Sequence, residues 1–443
     1  MDKNDICTIT IDDLNSYGEG IGHVDGMAVF VRNTLPGELA AVLIISLKKT
    51  YAYGKLLRII NPSPHRVSAA CPIFTQCGGC DLMHCDYETQ LNYKQKKTAE
   101  ALGRIGSFHT PNVQKALGMI DYTGYRNKAI FPIDKDGIVG MYARKSHRVV
   151  ETLTCHTVPT VTPQVLDIIR KYIRQSKVPV YDELTHKGLL RYVMTRVSNS
   201  TGEVMVCLVI NGRHLPQRDS LINMLRDISG FSTLTLSHNT KPGNLILSEK
   251  ISVLYGKGLI RDYIGDIGYD ISSLSFFQIN TLQAKVLYDT ILKLADITSD
   301  ETVLDMYCGA GGIALYLAKH THNIIVGVEI SKSAVDDAKK NAELNNIDNF
   351  QIHKADASKW LKENHPNADI IILDPPRKGC EKSVLDQVLN VHPKKIIYVS
   401  CDPASLARDA KYLCQNGYNL LNAQPIDMFP LTNHVETVAL LTL

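Results

Sequence analysis

From residue 300 onward the sequence alternates between short β-branched runs and amphipathic stretches, a pattern that a parallel α/β sheet satisfies and few other folds do. Residues 302–307 read as a strand, Cys308-Gly309-Ala310-Gly311-Gly312 as a glycine turn, and residues 313–319 as the opening of a helix. A second strand over 323–328 ends in Glu329, 24 residues after Asp305. Strands over 350–353 and 370–373 lead into Lys354-Ala355-Asp356 and Asp374-Pro375-Pro376-Arg377-Lys378-Gly379. A fifth, Ile396-Ile397-Tyr398-Val399, stops at Ser400-Cys401-Asp402-Pro403. In an open sheet of this kind ligands and reactive groups gather just past the carboxyl ends of the strands. The residues at those tips are therefore the expected site.

The glycine turn narrows the cofactor. A dinucleotide fold would show Gly-x-Gly-x-x-Gly, with a pyrophosphate over the helix N-terminus. Here the spacing is Gly-x-Gly-Gly, preceded by Asp305. A carboxylate at that point repels a pyrophosphate but orients the ammonium of S-adenosylmethionine, so that cofactor is expected ahead of NAD. Glu329 suits the ribose hydroxyls. Asp374 and its two prolines form a rigid turn facing the methyl-transfer centre. Methylases of exocyclic amines follow such prolines with an aromatic, whereas this chain has Arg377, which argues for another kind of acceptor.

A thiol at the tip of the fifth strand is either a buried small hydrophobe or a nucleophile. Uracil gives a reason for the second, because its C5 is a poor nucleophile until a thiolate adds to C6 and creates an enolate. A base must later take the C5 proton. Glu436, in Asn433-His434-Val435-Glu436 before a final strand over 438–443, is the candidate. His434 is a weaker one, and an edge-strand salt bridge is the plain alternative for Glu436.

The N-terminal half reads differently. Residues 6–60 are short strands separated by glycine turns and suggest a small barrel of the kind that binds oligonucleotides, closed by the Pro62-Ser63-Pro64 linker. Next come Cys71, Cys77, Gly78, Gly79 and Cys80, with Cys155 returning 75 residues after Cys80. Three thiols on one glycine-rich loop and a distant fourth favour a 4Fe-4S cluster over zinc or unliganded thiols, with Cys85 as a spare. A helical pattern runs from Asp86 to about Gly106. Residues 122–150 read as paired strands, including 128–132 and 138–142, followed by a helix near 163–175 and strands at 189–198 and 203–211.

The 443 residues allow two or three domains, and the net charge of +3 is uninformative as a total. Its distribution is not: residues 94–148 carry eleven Lys or Arg against four Asp or Glu, which points to an anionic polymer such as RNA. No apolar leader follows Met1, and the apolar run over 39–45 is too short to span a membrane. A cytoplasmic protein without a membrane partner is expected, its eleven cysteines serving as reduced thiols, metal ligands or catalytic groups.

Taken together, Asp-x-Tyr-Cys-Gly-x-Gly-Gly, Asp-Pro-Pro-Arg-x-Gly, Ser-Cys-Asp-Pro and His-Val-Glu resemble the RNA uracil-5-methyltransferase family. The four-cysteine pattern, and an N-terminal barrel resembling a TRAM domain, extend the likeness over essentially the whole chain. The resemblance implies a Rossmann-like class I methyltransferase domain with a seven-stranded mixed sheet, a TRAM/OB-like barrel and a central α+β domain carrying an iron–sulfur cluster. It implies residues 1–60 as the barrel, 61–85 with 113–262 as the central domain, and 86–112 with 263–443 as a discontinuous catalytic domain. It further implies Cys401 as nucleophile, Glu436 as base, and S-adenosylmethionine contacts from Gln278, Tyr307, Glu329 and Asp374. Cys71, Cys77, Cys80 and Cys155 match the family's 4Fe-4S ligands. A monomer acting on ribosomal RNA of the 23S type is the expectation, transfer RNA the alternative, and a non-catalytic RNA-binding or chaperone protein the reading from another class.

Overall fold

The computed structural model describes residues 1–443. The N-terminal strands Ile6–Leu14, Gly20–Val24, Met27–Val31, Leu39–Leu47 and Tyr51–Asn61 close into a five-stranded barrel. Its interior is filled by Ile9, Ile11, Val29, Val31, Val42 and Ile44, every second residue of their strands. At Gly54 a Cβ would come within 2.2 Å of the Val42 side chain, so the barrel closes only over a glycine there.

A second, five-stranded sheet has the order Ile251–Tyr255, Phe231–His238, Val204–Ile210, Leu190–Val197, Lys128–Pro132. Leu190–Val197 and Val204–Ile210 are buried along their whole length, and the helix Val161–Ser176 packs in the same core. The expected pairing within 122–150 is only partly made. Lys128–Pro132 pairs with Leu190–Val197, while Gly140–Tyr142 turns back on Val149–Glu151. The apolar Ala129 and Phe131 are drawn to the larger core, an attraction that local periodicity does not register.

The C-terminal sheet has seven strands in the order Phe350–Lys354, Ile325–Glu329, Val303–Met306, Ile370–Leu373, Lys395–Ser400, Glu436–Thr442, Asn419–Ile426. The first five run parallel; Glu436–Thr442 is antiparallel to both of its neighbours, so Asn419–Ile426 runs in the same direction as the five. The direction of strand order reverses between Val303–Met306 and Ile370–Leu373, which opens a crevice at their carboxyl ends.

The helix Tyr87–Arg104 starts on Asp86, whose side chain accepts from the Thr89 amide at 2.7 Å, and it packs on the helix Pro403–Gln415 and the strand Asn419–Ile426. Val113 and Leu117 add bridges to the edge of that sheet at Ala423 and Ile426. Lys94 of this helix is fully buried and pairs with Asp427, which also accepts from the Tyr87 hydroxyl at 2.8 Å. No helix is long and apolar enough to cross a membrane.

Candidate active site

The crevice is lined with carboxylates. Asp305 is wholly buried; one oxygen accepts from the Ala314 amide at 3.1 Å and the other, Oδ1, has no partner. Glu329, at the tip of the neighbouring strand, accepts from the amides of Gly309 at 3.1 Å and Ser331 at 2.7 Å. Burial pushes Asp374 up to about 7. Burial, then Asp374 and Glu329, push Asp305 well above the usual carboxylate range. A buried acid raised by two others beside it marks a place shaped for a cation, and the orphaned Asp305 oxygen is one acceptor ready for it.

Tyr307 turns out of its strand in the left-handed region, φ 69°, with its amide donating to the Val328 carbonyl at 3.0 Å. Gly311, φ 83°, opens the following helix. Gln278 lies beside the buried Tyr288 hydroxyl, and its carbonyl accepts from the Asn127 side chain at 2.8 Å. Two residues on, Asn280 caps the helix Thr281–Ala295.

Strand register brings the candidate nucleophile and the candidate base together. Ser400 pairs with Thr437 across the antiparallel pair, so the next residue on one strand, Cys401, faces the preceding residue on the other, Glu436. Glu436 is the first residue of its strand rather than a residue before it, as the sequence suggested, because it pairs with Ile426 on the opposite side. Beyond Cys401, Asp402 caps the helix Pro403–Gln415 by accepting from the Ala404 amide at 3.0 Å. The thiol therefore sits where a helix N-terminus begins.

Burial, then Glu436, push the Cys401 thiol up to about 11; the Arg377 guanidinium pulls it down and Asp374 adds to the rise. Glu436 is held well above the usual carboxylate range by burial and then by Asp374, with Arg377 opposing. Burial, then Arg377 and Lys97, lower His434 to about 4. A neutral His434, its Nδ1 3.4 Å from Arg377, is a poorer sink for a proton than Glu436.

Arg377 was legible only as a missing aromatic; the structure makes it the cation beside the thiol. Arg377→Ala should slow alkylation of Cys401 by iodoacetamide at pH 8 by about tenfold or more, the worth of a hydrogen bond to a charged group. It should also move the alkylation midpoint to higher pH, and an unchanged pH profile would remove Arg377 from this role.

Cys401, Asp402, Arg377 and His434 line one end of a cavity of about 590 Å³, bordered also by Tyr17 of the barrel, Lys97 of the helix Tyr87–Arg104, Gly78 of the cysteine loop and Arg144. Seven separate stretches of chain thus border one space, within the size range of ligand sites. Lys97 donates to the Asn433 carbonyl at 2.7 Å, and the Asn433 side chain donates to the Tyr17 carbonyl at 3.0 Å. Nothing local in the sequence marks Lys97, Asn433 or Tyr17, because their positions depend on domain packing.

Cys71, Cys77, Cys80 and Cys155 line a second, adjoining cavity of about 240 Å³, with Phe74, Met83, Tyr125 and Phe429. Burial raises the Cys71, Cys77 and Cys80 thiols, and Cys155 adds to each. No three His, Cys, Asp or Glu side chains converge to hold a metal ion, so the four thiols surround a space without meeting at a point. Cys85 packs with Leu14, Leu35, Leu82 and Tyr93 and stays outside. The loop to Glu436 is tied to this region through Leu431, φ 67°, whose carbonyl accepts from the amides of Asp81 and Leu82, both at 3.0 Å.

Comparison with known proteins agrees with this architecture. A family profile described as tRNA (Uracil-5-)-methyltransferase matches residues 86–443, and a TRAM domain profile matches residues 3–57. An uncharacterized RNA methyltransferase of Halalkalibacterium halodurans is 42% identical over 100% of this chain and 98% of its own. Another, of Clostridium tetani, is 41% identical over 99% and 97%. Among solved structures, the Pyrococcus abyssi tRNA (uracil-54, C5)-methyltransferase in complex with S-adenosyl-L-homocysteine aligns with a TM-score of 0.80 at 29% identity, covering 98% of this chain and 100% of that one. The chain belongs to the tRNA (uracil-5-)-methyltransferase family, with a TRAM domain ahead of the matched region.

Proposed function

We propose that this RNA methyltransferase moves the methyl group of S-adenosylmethionine to C5 of a uridine in RNA through a covalent Cys401 adduct. The observation that carries the reading is the placement of Cys401, on the wall of a 590 Å³ cavity, opposite Glu436, with Asp374 near enough to act on both. When bound, S-adenosylmethionine supplies an electrophilic methyl group and a positive charge. Gln278, Tyr307, Glu329 and Asp374 are the residues proposed to hold it, and the unpartnered Asp305 oxygen fits its ammonium. Cys401 Sγ adds to uracil C6, and the electrons of the C5–C6 double bond move out to the O4 carbonyl as an enolate. The enolate returns them through C5 to the methyl carbon, and the new C–C bond forms as the S–CH3 bond breaks, its electrons staying on the sulfur of the departing S-adenosylhomocysteine. Glu436 then takes the C5 proton, the C–H electrons restore the double bond, and the C6–S bond breaks to release the thiolate. Tritium at uracil C5 of unmodified total RNA should be released as methyl is incorporated, and an RNA that gains methyl without losing tritium would refute the route.

The carboxylates give the binding step a pH signature. An Asp374 raised from 3.8 to about 7 stabilises the protein below the unfolded value and ceases to do so as pH rises through about 7. A bound cation offsets that loss. The rise in melting temperature produced by S-adenosylmethionine should therefore be larger at pH 8 than at pH 5.5, and larger than that from S-adenosylhomocysteine, which lacks the sulfonium charge, at pH 8. Equal shifts from both ligands at both pH values would count against a carboxylate-lined cofactor site.

We also propose that Cys71, Cys77, Cys80 and Cys155 hold a 4Fe-4S cluster, supported by the one cavity that all four line. Anaerobically purified protein should carry about four irons and four sulfides per chain. Cys80→Ser should lower both, and stoichiometric zinc with no iron would overturn the assignment. The loop that carries three of the four thiols is proposed to belong with residues 61–85 and 113–262, and the packing of Tyr87–Arg104 on Pro403–Gln415 supports grouping 86–112 with 263–443.

Ribosomal RNA of the 23S type is the proposed substrate class, resting on the family likeness of the barrel and four-cysteine pattern. Transfer RNA is the second reading, favoured by the substrate of the P. abyssi enzyme. Mapping the methylated position in total RNA separates the two.

A further inference from the structure

The outer face of the barrel carries aromatic rings that its own core does not use. Val29, Val31 and Ala52 point inward and are buried, so by alternation Phe30, Tyr51 and Tyr53 point outward. Phe30 pairs directly with Tyr53 across parallel strands. The three rings form one patch, with centroids 5.5 Å apart for Phe30–Tyr51, 5.8 Å for Phe30–Tyr53 and 5.6 Å for Tyr51–Tyr53. They are only partly buried. Lys145, exposed in the basic loop of the central domain, places its ammonium 5.6 Å from the Tyr53 ring centroid.

Arg144, the neighbour of Lys145, lines the Cys401 cavity together with Tyr17, so the patch lies toward the 15–19 loop. Tyr17 is 63% exposed and borders the cavity that holds Cys401. That loop is fixed. The Asn15 side chain accepts from the Tyr17 and Glu19 amides at 2.9 and 3.0 Å, Tyr93 donates to the Asn15 carbonyl at 3.0 Å, and Asn433 holds the Tyr17 carbonyl. An exposed ring on a stapled loop at the mouth of the reactive cavity has no packing role that explains it.

We propose that Phe30, Tyr51, Tyr53 and Tyr17 form a stacking track for unpaired nucleotides next to the reacting uridine, with Lys145 engaging a phosphate of the same strand. The inference rests on the RNA-methylating reading and adds the surface that holds the flanking strand. Base stacking on aromatic rings tolerates any sequence, and it demands a single strand, because paired bases do not offer their faces.

The test uses the full-length protein with a fluorescein-labelled oligouridylate 12-mer and an RNA duplex of equal length. The single strand should bind at least about tenfold more tightly than the duplex at the same salt. The Tyr51→Ala/Tyr53→Ala protein should lose about tenfold or more for the single strand while the slope of log K against log salt is unchanged. Tyr51→Phe/Tyr53→Phe should bind as the parent does. Lys145→Ala should weaken binding and reduce that slope by about 0.7, the value of one phosphate contact on a single strand. In the unsubstituted protein, a 5-iodouridine oligonucleotide should crosslink to Tyr17, Tyr51, Tyr53 or Phe30, which needs no variant to fold. Equal affinity for single strand and duplex, or crosslinks confined to other residues, would overturn the track. Tritium release by the unsubstituted protein would still stand in that case, so failure of the track is distinguishable from failure of the methylation reading.

Discussion

Cys401→Ala should leave no tritium release from uracil C5 and no protein–RNA adduct resistant to denaturing gel electrophoresis, a loss of about 10⁴-fold or more in turnover. The argument is geometric before it is electrostatic. The thiol sits one residue past the end of its strand, on the cavity wall beside Arg377 and opposite Glu436. Glu436→Gln should behave differently from Cys401→Ala, because addition to C6 and methyl transfer precede the step that needs a base. Turnover should fall by about 10²–10⁴-fold while the gel-resistant adduct accumulates, as expected when proton removal alone is disabled. If both variants lack the adduct, or if Cys401→Ala retains turnover, the division of labour between the two residues is wrong. Burial holds Glu436 well above the usual carboxylate range, which suits a group that must accept a proton near neutral pH.

Lys94→Met is expected to have the largest effect on stability. Lys94 and Asp427 are both fully buried, and Lys94 donates as well to the Phe429 carbonyl at 2.9 Å. Burial lowers the lysine's affinity for its proton and Asp427 restores part of it, so the pair exists only as a unit. Removing the cation strands a carboxylate in the core, at a cost of about 3–5 kcal/mol, measurable as a lower urea midpoint. Lys94→Met/Asp427→Asn should recover much of that loss, since the remaining amide can still accept from the Tyr87 hydroxyl. A Lys94→Met protein with the parent's midpoint would show that the pair contributes nothing. Asp427 and Phe429 begin the stretch that leads to Glu436, so the same substitution should loosen the base and reduce activity in the fraction that stays folded.

The catalytic half was legible in the sequence because its signals are local. A strand tip is announced by where an apolar run stops, as at Ser400-Cys401-Asp402-Pro403, and a cofactor turn by its glycines, as at Gly309 and Gly311. The barrel was legible for the same reason, its strands being short and separated by turns. What the sequence did not disclose depends on contacts between distant segments. Lys128–Pro132 reads as half of a hairpin until the buried strand Leu190–Val197 is available to it. Arg377 follows a recognisable proline turn, yet its task is set by Cys401 and His434, which lie on other elements. Lys97 and Tyr17 reach the site only through the docking of a helix and a barrel loop. Glu436 was identified, but its position within a strand depends on pairing with Ile426.

The order of strands in the C-terminal sheet also sets the sequence of events during synthesis. Asn419–Ile426 is made before Glu436–Thr442, yet it lies outside it, so the later strand enters between that segment and Lys395–Ser400. A nascent chain that has already released Cys401 from the ribosome still lacks the strand that completes its neighbourhood. The facing of Cys401 and Glu436 is consequently among the last features this half of the molecule acquires, and an interrupted translation product would carry the thiol without the carboxylate opposite it.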